Sequence, residues 1–156
     1  MKTKQTIPEC ESPSIKAAKA AFIPTMRELV RAYQAFSHYS AEHVRTVGLT
    51  PPQFDVISTL GNTPGMLLHK LAAETLITKG TLTGVLDRLE QKGLVRRVVP
   101  IGNRRSFIAM LTPEGEKMFE ATFPMHIAYL KERFGQLSKA DLEVARGTLK
   151  RLRDLF

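Results

Sequence analysis

Thr78-Lys79-Gly80-Thr81-Leu82-Thr83-Gly84-Val85-Leu86-Asp87-Arg88-Leu89-Glu90-Gln91-Lys92-Gly93 reads as a helix with one buried stripe. Leu82, Val85, Leu86 and Leu89 fall at the i, i+3, i+4, i+7 spacing. Thr78 is placed to cap its start, Gly93 to close it in left-handed backbone, and Lys92 to complement the negative end of its dipole. The face left over near the start carries Lys79, Gly80, Thr81, Thr83 and Gly84. Such small groups let a helix backbone come close to a groove, while hydroxyls and an ammonium bond phosphates or base edges. A bulky apolar face would bar that approach. Arg88 suits either a surface ion pair or a contact, and Asp87 reads as a surface partner for Lys or Arg rather than as a base reader.

Upstream, Leu68, Leu71 and Ala72 seed a short helix that is followed by a turn at Glu74-Thr75-Leu76-Ile77, so the two helices make a helix-turn-helix pattern. Downstream, Leu94-Val95-Arg96-Arg97-Val98-Val99 and Ser106-Phe107-Ile108-Ala109-Met110-Leu111 flank Pro100-Ile101-Gly102-Asn103-Arg104-Arg105, the pattern of a hairpin with a charged tip. A hairpin in that place is a wing. Between Met66 and Thr112 the cations Lys70, Lys79, Arg88, Lys92, Arg96, Arg97, Arg104 and Arg105 face only Glu74, Asp87 and Glu90. Eight against three is a net of +5 out of the chain's +8. That concentration points to a polyanionic partner, double-stranded DNA. Arg96 and Arg97 suit either solvated strand positions or phosphate contacts, and Arg104 and Arg105 sit where a wing tip would present them.

Residues 1–13 show no helical or strand period and read as a flexible arm. Over 14–47 the spacing of Phe22, Met26, Leu29, Tyr33, Phe36, Ser40 and Val47 predicts a long helix, with Pro24 implying a kink or a later start. Gly48 ends it. Thr50-Pro51-Pro52-Gln53 has the form of a capping box, and Phe54, Ile57 and Leu60 supply the apolar face of the helix it opens; Gly61 to Gly65 breaks that helix. Thr112-Pro113-Glu114-Gly115 starts another, expected to reach about Phe134 despite Pro124 and to stop at Gly135. Ser138 to Asp141 caps the last, whose Leu142, Ala145, Leu149, Leu152 and Phe156 step by three, four, three and four. That is a packing seam. The expected fold is mainly α, with strand confined to the wing.

At 156 residues and 43% hydrophobic content the chain suits one domain, here 14–156. Cys10 is the one cysteine, so no intrachain disulfide and no multi-cysteine zinc site can form, which fits a reducing compartment. Between Glu9 and Glu11 its thiolate would be disfavoured, against a sensing role. No apolar run reaches the roughly 18 residues of a membrane span, and a signal-peptide core is missing, so a cytoplasmic location is expected. His38 and His43 are five apart and diverge by more than a third of a turn, and with His69 and His126 they read as core or surface polar groups, so no metal and no cofactor are expected. No nucleophile with a paired base, phosphate-cradling loop or acid pair suggests an enzyme.

The order of these pieces resembles the MarR family of winged-helix transcription regulators over about Leu49 to Gly115. The resemblance is carried by Leu71-Ala72, Gly80-Thr81-Leu82-Thr83, Asp87-Arg88-Leu89-Glu90, Lys92-Gly93-Leu94-Val95, Arg104-Arg105 and Leu111-Thr112-Pro113-Glu114-Gly115. It implies a winged helix-turn-helix over 49–112 and a helical dimerisation base from 14–47 and 113–156, holding a homodimer through residues such as Phe22, Leu142, Ala145, Leu149 and Leu152. DNA contacts would come from Thr78, Lys79, Gly80, Thr81, Thr83 and Arg88 in the major groove, with Arg104 and Arg105 at the wing reaching the minor groove. Asn103 stands where the family has an aspartate that buttresses the wing arginine. The resemblance further implies a repressor on a pseudo-palindromic operator, released by a small aromatic or phenolic effector. Arg27, Tyr33, His38 and Tyr39 near Phe54 would offer bonds to a carboxylate or phenol; they suit plain core or surface roles as well. From another class, a winged-helix protein-interaction module without specific DNA binding fits the same pieces.

Overall fold

The computed structural model describes residues 12–75, 77–99 and 107–156. Cys10, most of the arm, and the wing tip with Asn103, Arg104 and Arg105 lie outside the described residues. Two compact units follow from the packing, one ending at Tyr39 and the other running from Ser40 to Phe156.

In the first unit the expected single helix is two. Ser12 caps a short helix α1, Pro13–Ala18, and a separate helix α2, Ile23–Thr46, begins afterwards and runs on into the second unit. Pro24 thus marks a later start and not a kink. In the first turn of a helix proline breaks no hydrogen bond, because the amide it lacks would have had no intrahelical partner.

The second unit is built on local signals that act where the sequence places them. Gly48, at φ +75°, turns the chain out of α2. Thr50 and Gln53 form a reciprocal capping box at the head of α3, Pro51–Leu60. After a two-residue strand β1, Met66–Leu67, come α4, Leu68–Thr75, and α5, Lys79–Gln91. Glu74 and Thr75, expected in the turn, belong to α4, where the Thr75 hydroxyl donates to the Leu71 carbonyl at 2.7 Å. Gly93, at φ +70°, leads from α5 into β2, Val95–Val98, and β3, Ile108–Leu111, follows across the hairpin. Thr112 caps α6, Pro113–Phe134, which absorbs Pro124, and Ser138 with Asp141 caps α7, Lys139–Arg153. Phe156 lies beyond the end of α7, outside the helical seam predicted for it.

Strand is not confined to the wing. The sheet has the order β1-β3-β2, all antiparallel, with Met66 opposite Ala109 and Val95 opposite Leu111. β1 thus ties the front of the helix-turn-helix to the wing strand, a pairing too short for any alternation to announce it. Ile57 and Leu60 from α3, Leu71 from α4, the stripe Leu82, Val85, Leu86 and Leu89 from α5, and Ala109 from β3 close one core. Burying each large side chain contributes about 1.5–3 kcal/mol before entropy is counted. Every apolar residue of the stripe therefore fixes which face of α5 is left for solvent.

Candidate nucleic-acid interface

The exposed face of α5 starts at its cap. The Thr78 hydroxyl oxygen accepts from the Thr81 amide at 3.4 Å and gives its own proton to Thr81 Oγ1 at 3.0 Å, while the Thr83 hydroxyl donates to the Lys79 carbonyl at 3.2 Å. Thr81 is the acceptor in its hydroxyl pair, so its proton remains available to an outside oxygen. Lys79, Gly80, Thr81, Thr83 and Arg88 are exposed, Gly84 is half-buried, and all lie away from the buried stripe. A β-carbon added at Gly80 or Gly84 would meet no atom within 4 Å. Among the described residues nothing demands glycine there, although each glycine costs the helix roughly 0.5–1 kcal/mol relative to alanine.

Beside this face Lys79 and Thr83 rim a hollow of about 240 Å³ floored by Leu67, Leu68, Leu82 and Phe107, with His69 at its edge. The wing strand supplies two arginines that part ways. Arg96 is exposed, its Nε 3.2 Å from Met110 Sδ. Arg97 turns toward α5: its guanidinium donates to Asp87 Oδ1 at 2.6 Å and, through Nε, to Glu90 Oε2 at 3.0 Å, while its backbone amide donates to Glu90 Oε1 at 2.8 Å. These carboxylates, Glu90 foremost, raise the Arg97 pKa further above its ordinary value. Asp87 is thus the ion-pair partner that its place suggested. Lys92, expected at the helix dipole, reaches the Gly48 carbonyl at 3.1 Å and Gln53 Oε1 at 3.4 Å.

Sequence reasoning missed a second cluster. His126 of α6 is 4% exposed; its Nδ1 lies 3.1 Å from His43 Nδ1 and its Nε2 3.2 Å from Ser40 Oγ. Tyr129 stacks on His43 at 4.8 Å, and Phe54 packs at 4.6 Å from His126. Burial, then the neighbouring His43, lowers the His126 pKa. The pair spans 83 residues, a separation that no helical period records. Of the residues considered for an effector, Phe54 belongs to this buried cluster, while in the first unit Arg27, Tyr33 and His38 are exposed and Tyr39 is half-buried. Phe22, Ala145 and Leu149 are exposed, and Leu142 and Leu152 half-buried. Among the described residues no three His, Cys, Asp or Glu side chains are grouped to hold a metal ion, and no helix is long and apolar enough to cross a membrane.

The family model described as the MarR family matches residues 49–107, which span the described winged helix up to Phe107. Over 124 residues the chain is 32% identical to the HTH-type transcriptional regulator MhqR of Bacillus subtilis, covering 80% of this chain and 86% of that protein. The chain belongs to the MarR family. It is a MarR-family transcriptional regulator with a winged-helix fold, a class of proteins that bind DNA and are not enzymes. It is also 35% identical over 91 residues to the homoprotocatechuate degradative operon repressor of Escherichia coli, covering 58% of this chain and 62% of that one. Among solved structures, NadR in complex with 4-hydroxyphenylacetate is similar at a TM-score of 0.60 and 30% identity, covering 82% of this chain and 86% of NadR.

Proposed function

We propose that this regulator is a homodimeric repressor that holds a pseudo-palindromic operator by setting two copies of α5 into successive major grooves. The observation that carries the reading is the outward face of α5. Gly80 and Gly84 are kept at a cost in helix stability with open space above them, between Lys79, Thr81, Thr83 and Arg88. Arg104 and Arg105 serve as the wing contacts. A dimer is supported by apolar side chains left bare in a single chain, Phe22 at 64% exposure among them. The test is binding of a duplex drawn from the DNA flanking its own gene against a scrambled duplex at physiological salt. A specific complex is expected to exceed the scrambled one by roughly 10³-fold or more. Equal binding would leave the interaction-module reading standing.

The effector is a small aromatic acid or phenol, which weakens DNA binding by altering the spacing of the two reading heads. The support is two similar proteins, one the homoprotocatechuate degradative operon repressor and the other NadR, solved in complex with 4-hydroxyphenylacetate. Coupling of this kind is typically about 1–3 kcal/mol, so saturating effector weakens DNA binding roughly 5- to 150-fold and DNA weakens effector binding equally. Calorimetric titration of hydroxylated aromatic acids with and without operator reads that factor, and equal affinity in both sinks the switch for the compound used.

A further inference from the structure

We infer that Arg97 is a positioning residue for DNA reading: with Asp87 and Glu90 it sets the wing strand against α5, so that helix and wing meet a duplex together. The inference rests on the DNA-reading assignment above. Among the described residues β2 is an edge strand of the sheet, paired on its β3 side, with Arg97 opposite Ala109. The Arg97 amide on the open side would face solvent, and the Glu90 carboxylate takes it at 2.8 Å. The same carboxylate accepts from Arg97 Nε, and Asp87, one turn earlier on α5, accepts from the guanidinium at 2.6 Å. One strand residue is therefore tied to one helix by four hydrogen bonds, from backbone and side chain at once, Nη2 also donating to Glu90 Oε2. A guanidinium held by two carboxylates is directional as well as charged, and a lysine's point charge cannot reproduce the fork.

Charge alone gives no reason for this arrangement. Two carboxylates on a helix that approaches a polyanion repel it, and partly exposed ion pairs add little to stability. The side chains of Arg97, Asp87 and Glu90 are 24%, 48% and 31% exposed. What the tie does supply is a fixed angle between the element that reads the groove and the strand that carries the wing. Arg97 spends its charge on the helix, which separates it from its neighbour Arg96 on the same strand.

The decisive variant is D87A/E90A. Alanine favours the helix, and losing two negative charges favours DNA, so both side effects push toward tighter binding. Positioning requires the opposite: operator affinity falls roughly tenfold to a hundredfold, the order of a lost charge-assisted hydrogen bond, while binding to a scrambled duplex stays level or rises. Arg97→Lys should lose the operator preference as well, whereas a plain phosphate contact would keep it. Adding Arg97→Lys to D87A/E90A should then cost little more, since all three act as one unit. Unchanged or tighter operator binding by D87A/E90A overturns the inference. A DNA-free readout separates the tie from the assignment it rests on. Hydrogen exchange at the Arg97 amide should quicken in D87A/E90A while Leu89 stays protected, and unchanged exchange overturns the tie whatever the DNA result. A parent protein that prefers no duplex defeats the DNA-reading assignment itself, and the role of the tie in reading with it.

Discussion

Asp55 lies in α3 between Phe54 and Val56, and burial pushes its carboxyl up to about 6 from an ordinary 3.8. A folded-state pKa above the unfolded one means that the folded chain binds the proton more tightly. The stabilising contribution is complete below about pH 3.8 and is lost as the pH rises through about 6. Asp55→Asn, neutral throughout, should therefore exceed the parent in stability at about pH 8, by on the order of 1 kcal/mol once the carboxylate's partial exposure is discounted. The gap should close near pH 4. Urea unfolding at a series of pH values measures it, and a gap that does not depend on pH refutes the shift. His126 works in the other sense. Its lowered pKa favours folding above the ordinary histidine range, and that contribution is lost as the pH falls through the folded value. In Asp55→Asn, where the acid-side gain from Asp55 is gone, the decline on the acid side includes the contribution of His126.

At the scale of elements, α5 and α6 use glycine for opposite reasons. Gly115, in the first turn of α6, has the Leu94 carbonyl oxygen 1.9 Å from where a β-carbon would stand, so α6 can sit against the strand entry only without a side chain. Gly115→Ala should cost about 1–3 kcal/mol by forcing that junction apart. Gly80→Ala and Gly84→Ala meet no such obstacle and should each stabilise the fold by roughly 0.5–1 kcal/mol. They should nonetheless weaken operator binding if the proposed reading holds, because the added methyl stands on the face assigned to the groove. Thermal unfolding and operator titration on the same samples separate stability from reading. Alanine variants that are both more stable and equally good binders would place the DNA contact on another face.

The core described for the molecule belongs to the stretch from Val44 to Phe119, and no residue of α7 is buried. Leu149 is 53% exposed and Ala145 is exposed as well, so the middle of the three-four seam of α7 is uncovered, while Leu142 and Leu152 are half-buried. In the proposed homodimer a second copy supplies the cover. Leu149→Arg would place an unpaired charge in that contact, at a cost of several kcal/mol. Sedimentation should show the dimer split, while the core around Ile57 and Leu86 still unfolds cooperatively because Leu149 is not part of it. A variant that sediments as an unchanged dimer puts the interface elsewhere.

Caps and stripes were legible in the sequence because their partners are three or four residues away. Thr50 with Gln53, Thr78 with Thr81 and Ser138 with Asp141 close where the spacing places them, and Leu82, Val85, Leu86 and Leu89 are buried as their period requires. Hairpin strands and their separation are equally local, so the winged helix and the outward face of α5 could be written down before any coordinates. The rest depends on residues that meet only after the core has closed. Met66 and Leu67 become a strand because β3 arrives beside them, although two residues cannot display an alternation. Arg97, compatible in sequence with a phosphate contact, is turned inward because the close of α5 brings Asp87 and Glu90 within reach. His43, which its five-residue spacing from His38 had set aside, and His126, read as a plain core or surface group, become a hydrogen-bonded pair with His126 buried when α6 packs across the end of α2. Periodicity reports which side of an element is apolar; which polar groups on two elements touch is decided by how those elements dock.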